Sequence, residues 1–553
     1  MNKLSFPLFV LFCAALAQAF TFPMVSPELD EAKPFCYYSR PTDQLGVWDA
    51  PYAFMVTAEG YLYNRSSELM FMYGPEYEPT HNRNRVFEDD KYPIMSYDMT
   101  KLGVKYTFKM FAFTKERGVP RSPLYCLVKV TMENVSGSDN TAYFGVGTRY
   151  KGLTRRIDIH SAYPFSRGSL YEFRGNAALR DDEVIALYQD VPERYITSTI
   201  DTIYKGAFRG YEEAVLETTP WCPARYEIAL APGESKSVVL LYPNMPTSPD
   251  EIGELEAYLD PAVFDKKLAE AKEDWDKLLN KAVELRLPEK KVENAFYTSL
   301  MNMAISRDDQ GDGTYYQGVN EMQYYMFVPR DMMYFTWAWY FAGMPDEGRK
   351  VVNQYKHYLQ ENGSFYIDQE NICSYAILMW YRKTKDIDYL KEMWPVLMKN
   401  YTYTTNIIAN DPLKLMPKMG PYDNEGITGH YTAHNFYNAK AFEYLSEAAK
   451  ELGYEEESKN FRAYYEEFYA NLMKYLNAAY EKEGYIPPGL DTGKSGAHWG
   501  NMETSYPTFI LGSKDERVRK TIDYIRENDW SDEGLIMFRA LGWAFPSAWK
   551  PTA

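Results

Sequence analysis

The hydrophobic pattern of this chain changes its period near Pro249, and that change limits the fold more than any other feature of the sequence. From about Phe22 to Pro246, apolar residues alternate or run in short blocks, as in KYTFKMFAF, LYCLVKVTMENV, TAYFGVGTRY and RYEIALAPGESKSVVLLYP. A period of two puts alternate side chains on one face of a strand, and APGES supplies a Pro-Gly turn joining two strands. Many short strands without a helical pattern between them imply an antiparallel sandwich. After Pro249 the period becomes helical. Phe264, Leu268, Ala271, Trp275, Leu278 and Ala282 form one stripe, and Val292, Phe296, Leu300 and Met303 another. Leu390, Met393, Leu397, Tyr401, Thr404 and Ile408 make a third; Tyr437, Ala441, Leu445, Ala448 and Leu452 a fourth, ending at Gly453. Phe461, Tyr465, Phe468, Leu472 and Leu476 follow.

A chain of 553 residues is too long for one ordinary core. The expected division is a signal peptide over 1–19, a β-sandwich over 20–248, a helical linker over 249–288 and a helical domain over 289–553. Roughly nine helices are expected from Glu289 onward. Their connections alternate between short, as at Gly343-Met344-Pro345 and Gly453, and long, at about 307–330, 410–430 and 479–500. That cadence suits a ring of helical hairpins whose long loops gather at one end and build a cleft.

The opening, MNKLSFPLFVLFCAALAQAF, has Lys3, an apolar run and the small-residue site Ala17-Gln18-Ala19. It reads as a secretory signal with Phe20 as the first mature residue, which places the protein in the periplasm or outside the cell. No later apolar run is long enough to span a bilayer. The net charge of -17 repels phosphate backbones, so nucleic acid is not an expected partner. Cys36, Cys126, Cys222 and Cys373 are sparse and lack CxxC spacing, which argues for buried thiols over a zinc site or a disulfide scaffold, with one bridge in the first half as the alternative. Sequons occur at Asn64, Asn134, Asn362 and Asn400. Fifty tyrosines against 29 phenylalanines suit half-wet aromatic surface, as in a carbohydrate cleft.

Three segments can carry chemistry. The stretch GPYDNEGITGHYTAHN holds Asp423 and Glu425 in a loop that its glycines and proline keep from becoming helix. Two carboxyls at i and i+2 can repel each other and keep one protonated, as an acid that protonates a glycosidic oxygen must be. Either can equally cap the next helix. In FVPRDMMYFTWAWYFAG, Arg330 and Asp331 can donate and accept hydrogen bonds to neighbouring sugar hydroxyls; a helix cap with a surface ion pair explains them as well. GAHWGNMETSYP offers Trp499 to stack on a pyranose, with His498 and Glu503 as ligands, although Trp is by default core. Glu321 in QGVNEMQYY, and Asp368 and Glu370 in YIDQEN, are further candidate acids. RDDQGDGTYYQG starts like a calcium loop, but Val319 stands where the bidentate Glu belongs, so it is rejected. GxSxG, Walker and HExxH motifs are missing, and six His leave little for a metalloenzyme. No cofactor or metal is expected.

Taken in order, ALAPGESKSVVLLYP, the helix through Trp275, PRDMMYFTWAWYFAGMPDEGRK and PYDNEGITGHYTAHNFYNAKAFEYLSEAAKELGY resemble the six-hairpin glycosidases. This superfamily, with glucoamylases, α-L-rhamnosidases and disaccharide phosphorylases, joins a β-sandwich to an (α/α)6 barrel. The resemblance implies that the loop after the fifth barrel helix supplies the general acid, Glu425, with Asp423 beside it. It implies that Arg330 and Asp331 hold the non-reducing-end sugar, and that His498, Trp499 and Glu503 lie on a more variable cleft segment. The family's general base lies between the last two barrel helices. LGWAFPSAWKPTA tails off before them, so the barrel is expected to be incomplete at this end. The expected protein is an exported glycoside hydrolase, inverting, acting on an oligo- or polysaccharide. Alternatives are a degenerate glycan-binding protein and, with the domains in the less fitting order, a polysaccharide lyase.

Overall fold

The computed structural model describes residues 43–529 apart from 58–59, 65–66, 81–85, 150–170, 191–192, 195–220, 322–324, 357–369, 419–428 and 492–499. The expected signal peptide lies outside the described residues. The chain divides into two compact units. One runs through Phe327 and takes in Ala342–Met344; the other holds Val328–Phe341 and everything from Pro345.

The first unit is built on two eight-stranded antiparallel sheets among the described residues. The strands that matter below are β1 (Glu68–Tyr73), β2 (Tyr92–Lys101), β3 (Val104–Thr114), β4 (Leu124–Asn134), β5 (Asn140–Arg149), β6 (Trp221–Leu230) and β7 (Ser235–Pro243). β2, β3, β4 and β7 are neighbours in one sheet; β1, β5 and β6 are neighbours in the other. Alternation in KYTFKMFAF becomes alternate burial along β3, whose inward Phe108 meets Phe71 of β1 with centroids 5.3 Å apart. Tyr97 stacks on the same Phe108 at 4.8 Å. Such aromatic pairs add about 0.5–1.5 kcal/mol beyond the area they bury.

The APGES turn joins two strands, but they lie in opposite sheets, so the chain crosses the sandwich there. It also crosses between β4 and β5. Asn134 stitches the two crossovers together: its Nδ2 donates to the Leu230 carbonyl at 3.0 Å and to the Ser138 carbonyl at 2.8 Å. Asn134 is fully buried, and the sequon residues Asn64 and Asn400 are nearly so. A folded chain cannot carry glycans at these three positions. Cys126, Cys222 and Cys373 are buried thiols, as expected from their spacing.

Two long helices among the described residues belong to this unit. α1 (Pro261–Leu279) starts on an Asp260 cap that accepts from the Ala262 amide at 2.7 Å, with Pro at its first position. Its Phe264 packs edge-on against Phe111 of β3 at 5.2 Å, and Tyr92 donates to its Asp276 at 2.5 Å. α2 (Lys290–Ile305) follows. The rejected calcium loop is a β-hairpin, Arg307–Asp309 against Tyr315–Gln317, with Gly311 and Gly313 at left-handed φ in its turn.

The second unit is helical: α3 (Pro329–Phe341), α4 (Pro345–Val352), α5 (Glu370–Thr384), α6 (Ile387–Asn410), α7 (Thr432–Glu451), α8 (Glu455–Glu483) and α9 (Glu516–Asp529). α5 packs beside α3 and α7, while α6 lies against α5 and α8 against α7. The helices therefore form two layers. α7 buries 15 of its 20 residues and α8 only five of its 29, so α7 is an inner helix and α8 an outer one. A one-faced stripe serves the outer layer; an inner helix must be compatible with burial nearly all round.

Gly348 of α4 sits at a tight crossing in this unit. A Cβ there would stand 2.8 Å from the ring of the buried Trp380 and 3.1 Å from the Thr336 carbonyl. Gly348→Ala should therefore cost about 1–3 kcal/mol, read by chemical denaturation, despite alanine's better helix propensity. An unchanged midpoint would contradict this account of the packing.

Candidate active site

Three inner helices of the second unit share an aromatic cluster that ends in charge. On α3, Arg330, Tyr334 and Trp337 fall at i, i+4 and i+7 and so lie along one stripe. On α7, His434, Tyr437 and Tyr444 do the same at i, i+3 and i+10. Tyr375 of α5 joins the two: its ring lies 5.9 Å from Trp337, 5.4 Å from Tyr437 and 6.0 Å from Tyr444. Its hydroxyl donates to the Pro507 carbonyl at 2.7 Å, which anchors the segment carrying Glu503.

Glu503 sits in a short 3-10 turn, Met502–Thr504, packed on α7. Only 5% of it is exposed. Its Oε1 accepts from the Tyr437 hydroxyl at 3.1 Å, and its Oε2 has no partner among the described residues. Burial pushes the carboxyl up to about 7, against the pull of the Arg330 charge and the Tyr437 hydroxyl. The same group acts on its neighbours. Burial and then the Glu503 charge push the Tyr334 phenol up to about 12, and they hold the Tyr437 phenol well above its usual value. His434, buried and next facing the Arg330 charge, is held well below the usual range and is neutral at pH 7.

This is a buried acid poised near neutrality, beside a guanidinium and a neutral imidazole, in an aromatic setting. Perturbed titration of this kind concentrates at functional sites. Tyr506, three residues beyond Glu503, is 53% exposed and stacks on Tyr334 with centroids 6.5 Å apart. It gives the cluster a solvent-facing ring against which a hydroxylated, partly apolar ligand can lie.

The expected site residues divide as follows. Arg330 and Glu503 are brought together. Asp331, half-buried at the start of α3, lies where its charge is felt by Tyr355, whose hydroxyl donates to the Pro329 carbonyl at 2.7 Å. Glu321 belongs to the first unit and is fully buried; burial first, and then the Asp308 and Glu321 charges, raise the Tyr316 and Tyr325 phenols. Asp423, Glu425, His498, Trp499 and Asp368 lie outside the described residues. The described residues on either side of 419–428 share one anchor. Lys418 reaches Asp491 at 2.8 Å, and the buried His430 lies between Asp491 at 2.9 Å and Asp411 at 3.0 Å. Burial would raise the Asp491 carboxyl, but Lys418 and His430 together bring it down to about 2.

Sequence reasoning missed Tyr334, His434 and Tyr506, and took Tyr437 for packing alone. The signal available was the stripe itself, an Arg, a Tyr and a Trp on one face of a helix that opens with Pro.

Along the chain, a unit built on two antiparallel sheets is followed by a unit of layered helices. No protein-family model matches the sequence, and no curated protein matches it. Among solved structures the chain is similar to a bacterial glucoamylase complexed with acarbose, with a TM-score of 0.59 and 13% identity over 89% of this chain and 79% of that one. At that identity the likeness is one of fold. A GH78 family rhamnosidase of Bacillus sp. GL1 (TM-score 0.34, 12% identity, 73% of this chain and 37% of that one) is more distant. So is a family GH92 α-mannosidase from Bacteroides thetaiotaomicron (TM-score 0.34, 13% identity, 87% and 72%), and neither adds to the fold assignment. No described helix is long and apolar enough to cross a membrane.

Proposed function

We propose that this protein is an exported glycoside hydrolase that cleaves an oligo- or polysaccharide by carboxylate acid–base catalysis with inversion. The observation that carries this reading is the Glu503–Tyr437 hydrogen bond beside Arg330, on inner helices of a glycosidase-like fold. In this reading Arg330, Asp331 and Glu503 bind sugar hydroxyls, and Tyr506 offers its ring to the pyranose face. Trp499 and His498 complete the sugar contacts. Glu425, with Asp423 beside it, gives the proton to the leaving oxygen. The Glu503 oxygen without a partner among the described residues suits a sugar hydroxyl: a buried acceptor or acid left unsatisfied costs free energy that a bound ligand recovers. Inversion requires a second carboxylate about 6.5–9.5 Å from the acid, with room for water between. Export follows from the signal-like opening, and N-terminal sequencing of secreted material should start at Phe20.

The test is turnover. Purified full-length protein is screened against aryl glycosides and plant and algal polysaccharides, with the first-formed anomer read by NMR. Release of a sugar of inverted configuration supports the proposal. Tight saccharide binding without release would make it a glycan-binding protein, and an unsaturated product absorbing in the ultraviolet would make it a lyase.

A further inference from the structure

The sandwich unit has its own recess. At the end of the sheet where β4 begins and β7 ends lies an open cleft of ≈ 260 Å3, lined among others by Tyr52, Arg121, Tyr125, Asn244 and Met245. Two independent features mark it. Asn244 is 1% exposed; its Nδ2 donates to the Ala53 carbonyl at 2.8 Å, and its Oδ1 has no partner among the described residues. A buried amide oxygen is normally satisfied, so an unsatisfied one calls for an occupant or a cause. The second feature is the backbone. Tyr52 and Arg121, two bulky residues lining the same cleft, are held at left-handed φ of 69° and 60°. Such conformations persist where the surroundings impose them, and they gather at binding sites.

The chemistry of the lining selects the ligand. Its described lining contains no carboxylate, so a cationic ligand finds no counter-charge there. Its one cation, Arg121, is an exposed guanidinium that donates to the Gln310 side chain at 2.8 Å, where water and salt screen its pull on an anion. Proline, methionine and tyrosine walls suit the C–H face of a sugar ring, while the Asn244 oxygen and the Ser122 and Thr247 hydroxyls suit its hydroxyl edge. The space is smaller than the roughly 300–1,000 Å3 of sites for drug-sized ligands, so it fits one ring. We infer that this cleft of the sandwich unit binds a single neutral pyranose, such as the terminal ring of a saccharide chain.

The experiment is calorimetric titration of the full chain with methyl α-D-glucopyranoside, methyl α-D-mannopyranoside and methyl α-L-rhamnopyranoside. At least one should bind. Met245→Trp fills the mouth at a residue that is 36% exposed, and Tyr52→Gly removes the ring while easing the left-handed backbone. Each should weaken that binding ~10-fold or more, whereas Glu503→Gln should leave it unchanged. The inference is overturned if no probe binds, if both sandwich variants bind like the parent, or if Glu503→Gln alone removes binding. Absence of turnover with binding still sensitive to Met245→Trp would reject the proposed hydrolase and leave this site standing.

Discussion

Glu425→Gln should lower turnover of a natural saccharide by about 10²–10⁴-fold while leaving its affinity in place. The amide keeps the shape and hydrogen-bonding reach of the acid and loses the proton. That distinction gives the prediction a second reading. A sugar leaving as an alkoxide needs the proton, because the bond cannot break without neutralising the departing oxygen. A dinitrophenolate leaves without it, so the variant should retain most of its activity on a dinitrophenyl glycoside. Asp423→Asn tested in parallel decides between the two carboxyls: the donor is the one whose loss depends on the leaving group. If Glu425→Gln depresses both substrates equally, Glu425 acts on the fold or on binding, and the assignment fails.

Local periodicity carried the broad architecture, because strand and helix each impose a repeat that burial makes visible in one sequence. It could not say which partner a buried face would meet. APGES reads correctly as a turn between strands, yet nothing in a Pro-Gly turn tells whether the next strand pairs with the last or crosses to the opposite sheet. In the structure Asn134, distant in sequence, bonds the Leu230 carbonyl at that crossover. Likewise the stripe on α2 shows a helix, while its grouping with the sandwich depends on surfaces that the stripe does not describe.

The candidate site was legible by residue type and not by association. Arg330 and Glu503 stand out as polar residues in aromatic surroundings, but they come from widely separated segments, and only the packing of α3 and α7 on α5 brings them together. Tyr437 sits in a helical stripe of apolar residues, which one sequence can only read as core. Its hydroxyl makes it something else. The sequons show the converse limit of local reading: four match the pattern, and burial removes three of them.

The same buried acid governs a stability experiment. In the unfolded chain Glu503 titrates near its ordinary 4.5, and in the folded protein burial moves it to about 7. Between those values the folded state holds a proton that the unfolded state has released. Stability from this group is therefore fully present below about pH 4.5 and lost as pH rises through 7. The separation corresponds to about 3 kcal/mol, the cost of leaving the carboxylate charged inside the cluster. Glu503→Gln has no charge to bury and still offers Tyr437 an acceptor. Denaturant unfolding at pH 5 and pH 8 should show the parent losing up to about 3 kcal/mol more than the variant across that interval. The pull of Arg330 on the ionised carboxylate acts only at the higher pH and is already contained in the folded value near 7, so it adds nothing further to this difference. Parent and variant falling in parallel would mean that Glu503 titrates as an ordinary surface acid, and the electrostatic basis of the proposed site would go with it.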